Sequence, residues 1–78
     1  MIVQDKCVLI TGSNRGIGLA FAKEAHRLGA RVIMAMRNTD GFTQDWFDER
    51  VQLIQLDMSC AESINQFMQN SVLAQVDI

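Results

Sequence analysis

Three glycines and an arginine fall within eight residues at Thr11 to Gly18, TGSNRGIG, directly after the apolar run Cys7 to Ile10. A strand that runs into a glycine-rich turn and then a helix aims unpaired backbone amides and the positive end of the helix dipole at one point beyond the sheet. Phosphate is the chemistry such a point attracts. Gly12 lets the chain turn off the strand, Gly16 lets a diphosphate approach the backbone, and Gly18 lets the helix lie close to the sheet. The spacing G-x3-G-x-G departs from the dinucleotide fingerprint G-x-G-x-x-G, and no G-K-[ST] follows to make a triphosphate-binding loop.

A second cationic position lies further on. In dinucleotide-binding folds a carboxylate near the end of the second strand takes the ribose 2′-hydroxyl of NAD, whereas arginine there suits the 2′-phosphate of NADP. This chain has Met36 and then Arg37, with no acid before Asp40, and Arg15 stands one residue ahead of Gly16. Two guanidinium groups on one side of the ligand can clasp a phosphate with charge-assisted bonds. NADP(H) is therefore expected over NAD(H).

The elements that must position these residues alternate along the chain. Cys7 to Ile10 reads as a first strand covered on both faces. From Gly16 to Leu28 the residues Ile17, Phe21, Ala25 and Leu28 recur at helical spacing and predict a buried stripe, with Gly29 placed as a left-handed helix stop. Arg31 to Met36 predicts a second strand, followed by the turn-rich RNTDG. Between Phe42 and Arg50, Thr43 could cap a short helix holding Trp46 and Phe47, or the segment is an ordered loop; either way the two rings are expected to cover the sheet. Val51 to Leu56 predicts a third strand. After it, Ser59 and Glu62 spell a capping box for a helix to about Leu73, with an apolar stripe of Ile64, Phe67, Met68 and Val72. Val76-Asp77-Ile78 could open another strand. Strands separated by helices imply parallel pairing, so the fold class expected is α/β: the N-terminal β-α-β-(α)-β-α half of a Rossmann-type doubly wound sheet, one partial domain over residues 1–78.

With these positions in place, the sequence resembles the short-chain dehydrogenase/reductase family, whose signature T-G-x3-G-[IL]-G is matched by Thr11, Gly12, Gly16, Ile17 and Gly18. The resemblance continues through Leu56-Asp57, where the family places an aspartate beside the adenine ring, to Val76-Asp77-Ile78, and so covers nearly the whole chain. It implies cofactor contacts at Gly12, Ser13, Asn14, Arg15, Gly16, Ile17, Gly18, Arg37, Asp57 and Met58. Asp57 also stands two residues ahead of a helix cap, where a carboxylate is favourable to the helix on structural grounds alone. The resemblance implies an NADP(H)-dependent oxidoreductase moving a hydride to or from a carbonyl or alcohol. In that family a tyrosine transfers the proton, helped by a lysine four residues on. This chain contains no tyrosine, and Lys6 and Lys23 lie far from where the family carries its lysine. No catalytic residue is assigned, and the chain is expected to be the cofactor-binding portion of a longer enzyme, inactive alone. The alternative is a non-catalytic nucleotide- or protein-binding module; a methyltransferase-like or flavodoxin-like fragment shares the strand order but does not account for TGSNRGIG together with Asp57.

Composition narrows the setting. The chain is 49% hydrophobic and 21% charged, without a run long enough to span a membrane and without a basic leader before an apolar stretch, so a cytoplasmic protein is expected. A net charge of −2 gives no general attraction for nucleic acid. Cys7 and Cys60 lack the spacing of a metal or redox motif and are expected to be reduced packing residues, and His26 a surface residue of the first helix. A chain of 78 residues buries only about 60–65% of its unfolded surface, so its stability margin is thin. The outer edge of the first strand is expected to be open, inviting self-association or pairing with a C-terminal half.

Overall fold

The computed structural model describes residues 3–78, with all of their side chains except that of Val72. Three strands, β1 (Cys7–Thr11), β2 (Arg31–Met36) and β3 (Val51–Gln55), form one parallel sheet in the order β1-β2-β3. The sequence of β2, apolar at five consecutive positions after Arg31, suits only a strand covered on both faces, and its residues from Val32 to Met36 are all buried in the central place. Alternation divides them between two core layers. Val32, Met34 and Met36 face the side of α1 (Gly16–Arg27), with Ala22, Val8 and Val3; Ile33 and Ala35 face the side of α2 (Ala61–Met68), with Cys7, Ile54, Leu56 and Phe67.

Helix α1 forms as the glycines require and stops where they allow. Gly29, at φ 96°, donates to the His26 carbonyl while Ala30 donates to that of Ala25, the two bonds of a Schellman stop. Its buried face, however, is not the stripe of bulky residues. Ala22 is buried and Leu19 and Ala25 pack on the core, whereas Ile17 is 76% and Phe21 65% exposed, and Leu28 is exposed as well. A helix lying close to a sheet favours its small residues at the contact, and that puts the large ones outside.

The segment 37–50 holds no helix. Successive turns carry it, through bonds such as Phe47 N–H to the Gln44 carbonyl at 3.1 Å, and Phe42, Trp46 and Phe47 pack against the α1-side core. Trp46 and Phe47 thus cover the sheet as expected. His26 is not a free surface residue: its ring stands 5.1 Å from that of Trp46, and its Nε2 lies 2.9 Å from Asp48 Oδ1 and 3.0 Å from an Arg50 nitrogen. Arg50 also donates to the His26 carbonyl at 3.1 Å, which fastens the segment to the end of α1.

After β3 the expected capping box is absent. Cys60, not Ser59, is the residue before α2, and its thiol is exposed rather than packed, while Cys7 is buried as expected. Nor does α2 reach Leu73; it ends at Met68, and a 3-10 turn, Ser71–Gln75, follows. The reason lies in its register. Continuing the Ile64–Phe67 face by three or four residues would bring Asn70 and Ser71 to the sheet, whereas the break lets Leu73 and Val76 join the core. Met68, expected on the buried stripe, is exposed; the expected contact of Val72 lies outside the described side chains.

The edge of β1 is partly filled. Ile78 N–H donates to the Cys7 carbonyl at 3.2 Å, and its own carbonyl accepts from Leu9 N–H at 3.0 Å, the two bonds flanking Val8 as in parallel pairing. Asp77 adds a bond from its amide to the Cys7 carbonyl and one from Cys7 N–H to its Oδ2, each 2.8 Å. None of the helices among the described residues is long and apolar enough to cross a membrane.

Candidate functional site

All three strands point their carboxyl ends the same way, and the cleft beyond those ends is where ligands of open α/β sheets bind. Here a cleft of about 840 Å³ is lined by three groups of residues. Thr11, Gly12, Asn14 and Arg15 come from the turn after β1, Ala35 to Asn38 from the end of β2, and Leu56 to Ser59 from the end of β3. The structure therefore brings together Gly12, Asn14, Arg15, Arg37, Asp57 and Met58.

The turn after β1 is open toward a ligand. Gly12 and Gly16 adopt φ 59° and 61°, the left-handed region in which side chains are strained, and a Cβ at either would meet nothing within 4 Å. Gly18 serves differently from expectation: a Cβ there would run into the Gly12 carbonyl oxygen and stand 3.0 Å from the Ser13 Cα, so the close approach is between the helix and its own loop. Helix α1 begins with Arg15 in extended conformation, without a side-chain cap and without an acidic residue in its first turn. Its partial positive charge is thus left for an anion.

Three expected contacts take other places. Ser13 is completely buried, its hydroxyl 3.5 Å from the Ala35 carbonyl oxygen, beneath the loop rather than on the cleft wall. Ile17 and Gly18 border an apolar groove of about 520 Å³ with Val8, Ile10, Phe21 and Ile78, whereas Gly16 presents open space at the turn.

On the far wall Asp57 is held in place by Ser59, ahead of α2, and Ser63 within it. Its Oδ1 accepts from the Ser59 hydroxyl at 2.6 Å and from Ser59 N–H at 3.0 Å, and its own N–H donates to the Ser63 hydroxyl at 2.9 Å. The Ser59 hydroxyl, then its amide, and to a smaller degree Arg37 hold the Asp57 carboxyl below the ordinary carboxylate value. Arg37 Nε lies 3.9 Å from that Oδ1 with most of the guanidinium in solvent, and Met58 beside it is 70% exposed. Sequence reasoning missed Asn38, Ser59 and Ser63. Ser59 carried a signal, since a serine two residues after an aspartate can close a local side-chain turn as readily as cap a helix, whereas Ser63, six residues on, carried none.

A cleft bordered by an open glycine turn and an uncapped helix start, with two arginines and one carboxylate, can take a nucleotide that bears phosphates. The family model described as short chain dehydrogenase matches residues 6–78. The WW domain-containing oxidoreductase of Danio rerio is 33% identical over 72 residues, covering 83% of this chain and 18% of that protein. Among solved structures, a short-chain dehydrogenase from Streptomyces avermitilis aligns with a TM-score of 0.81 at 32% identity, over 99% of this chain and 30% of that one. A short chain dehydrogenase from Leptospira borgpetersenii with bound NAD+ aligns with a TM-score of 0.73 at 30% identity, over 92% of this chain and 27% of that one. The chain thus spans less than a third of each protein that it matches here.

Proposed function

Because the chain belongs to the short-chain dehydrogenase family, we propose that it is the cofactor-binding portion of an oxidoreductase and that its cleft receives NADP(H) in preference to NAD(H). The observation that supports this most is the convergence on one cleft of an open glycine loop and two arginines, Arg15 and Arg37. Once bound, the nicotinamide supplies or accepts the hydride exchanged with an alcohol or carbonyl. The chain's own residues bind and orient. Amides at the start of α1 face the diphosphate, Arg15 and Arg37 take the 2′-phosphate, and Asp57 and Met58 flank the adenine. With no tyrosine in the chain, catalysis is assigned to none of these residues, and turnover draws on further polypeptide. The unpaired thiols of Cys7 and Cys60 suit a reducing compartment such as the cytoplasm.

Calorimetric titration of the chain with NADPH and NADH tests the reading. NADPH is expected to bind at least about tenfold more tightly, the scale of one or two charge-assisted bonds, and Arg37→Asp to abolish that preference while leaving NADH binding within about twofold. Equal affinities would remove the NADP(H) assignment. The second reading, a non-catalytic module that binds a protein, draws on the exposure of Ile17 and Phe21. Absence of heat with both nucleotides would favour it. Under either reading the chain alone self-associates through that apolar face.

A further inference from the structure

The ion pair across the cleft mouth is a long one. Arg37 Nε stays 3.9 Å from Asp57 Oδ1, beyond hydrogen-bond reach, although the guanidinium has no other ionic or hydrogen-bond partner among the described residues. The same oxygen already accepts two bonds, from the hydroxyl and the amide of Ser59. We infer that Ser59 is a specificity-determining positioning residue: by bonding Asp57 Oδ1 it holds the carboxylate turned short of Arg37, and so leaves the guanidinium free for the 2′-phosphate.

Two donors on Oδ1 fix the orientation of the whole carboxylate, and the Ser63 hydroxyl, by accepting from the Asp57 amide, fixes the backbone from which it projects. The depression of the Asp57 carboxyl agrees, since the Ser59 hydroxyl contributes most to it and Arg37 least. Without the Ser59 hydroxyl only the Ser59 amide still holds Oδ1, and the carboxylate can turn toward Arg37. A bidentate pair would then compete with phosphate for the same N–H groups. Asp57 thus has to be held back from its neighbour as well as presented to the base, and one short hydrogen bond does both. This inference rests on the NADP(H) reading and adds to it a residue that touches the 2′-phosphate only through another.

The test measures affinities of the full 78-residue chain for adenosine 2′,5′-bisphosphate and for 5′-AMP, which differ by the 2′-phosphate. Ser59→Ala is expected to lower the ratio of the two affinities by about fivefold, the scale of an exposed ion pair gained by the competitor. Ser59→Thr, which keeps the hydroxyl, is expected to retain the ratio, and the double variant Ser59→Ala, Asp57→Asn to recover it because no carboxylate is left to compete. A serine that merely orders the turn would weaken both ligands alike. A ratio unchanged by Ser59→Ala, or a fall not relieved by Asp57→Asn, overturns the inference while the cofactor reading stands. A wild-type chain indifferent to the 2′-phosphate overturns both.

Discussion

Gly16 and Gly18 stand two residues apart and answer to different physics. At Gly18 a methyl group has no room, since the Gly12 carbonyl and the Ser13 Cα stand in its way. Gly18→Ala is expected to cost about 1–3 kcal/mol of stability through overpacking, read as a lower midpoint in urea. At Gly16 the methyl has space but the backbone, at φ 61°, resists it. Gly16→Ala is expected to cost only about 1 kcal/mol of stability yet to weaken NADPH by tenfold or more, because the methyl enters the space kept for the diphosphate; a Gly16→Ala chain that binds as well as wild type would oppose that placement. The glycines were legible in the sequence because their spacing has few other uses. Ser59 was read for the wrong partner, since both its candidate partners, the helix amides and the Asp57 carboxylate, lie within a few residues and only geometry separates them.

Elements were legible where one physical cause dominated. The continuous apolar run of β2 admitted a single place in the sheet, and Gly29 a single conformation. Of the stripe read in helix α1, Ala25 does pack on the core, but the large residues at 17, 21 and 28 do not; Ala22 and Leu19 take the contact instead, because closeness to the sheet, not bulk, decided it. The crossover 37–50 showed no periodicity because side chains rather than a helix hold it. Its clasp has a measurable pH signature. The Asp48 carboxyl is held below its ordinary value by the hydrogen bond to His26, then by the Arg50 amide and by the charges of both. A folded value below the unfolded one means stabilisation present in full above about pH 4 and lost as pH falls through the lowered folded value. Asp48→Asn is therefore expected to flatten the decline of the thermal midpoint between about pH 4 and pH 2; identical acid profiles for the two chains would remove the clasp from the account.

At the scale of the whole molecule, one flank is finished and the other is not. Ile17 and Phe21 stand in solvent beside a groove walled by Val8, Ile10 and Ile78, an exposed apolar patch of the kind that marks an interaction surface. Sedimentation of the chain is expected to show concentration-dependent association that Phe21→Lys reduces without lowering the urea midpoint by more than about 0.5 kcal/mol equivalent, as befits an exposed site. A monomer at every concentration would refute this. The groove's neighbour adds a directional constraint. With Ile78 already laid beside Val8, the uncovered rim of β1 comes with a heading and a starting notch. Whatever lengthens that rim by continuing from Ile78 must travel as β1 travels, whereas a visitor arriving head-to-tail would first have to peel away the bonds at Cys7 and Leu9. The border of the sheet is in this sense a one-way seam.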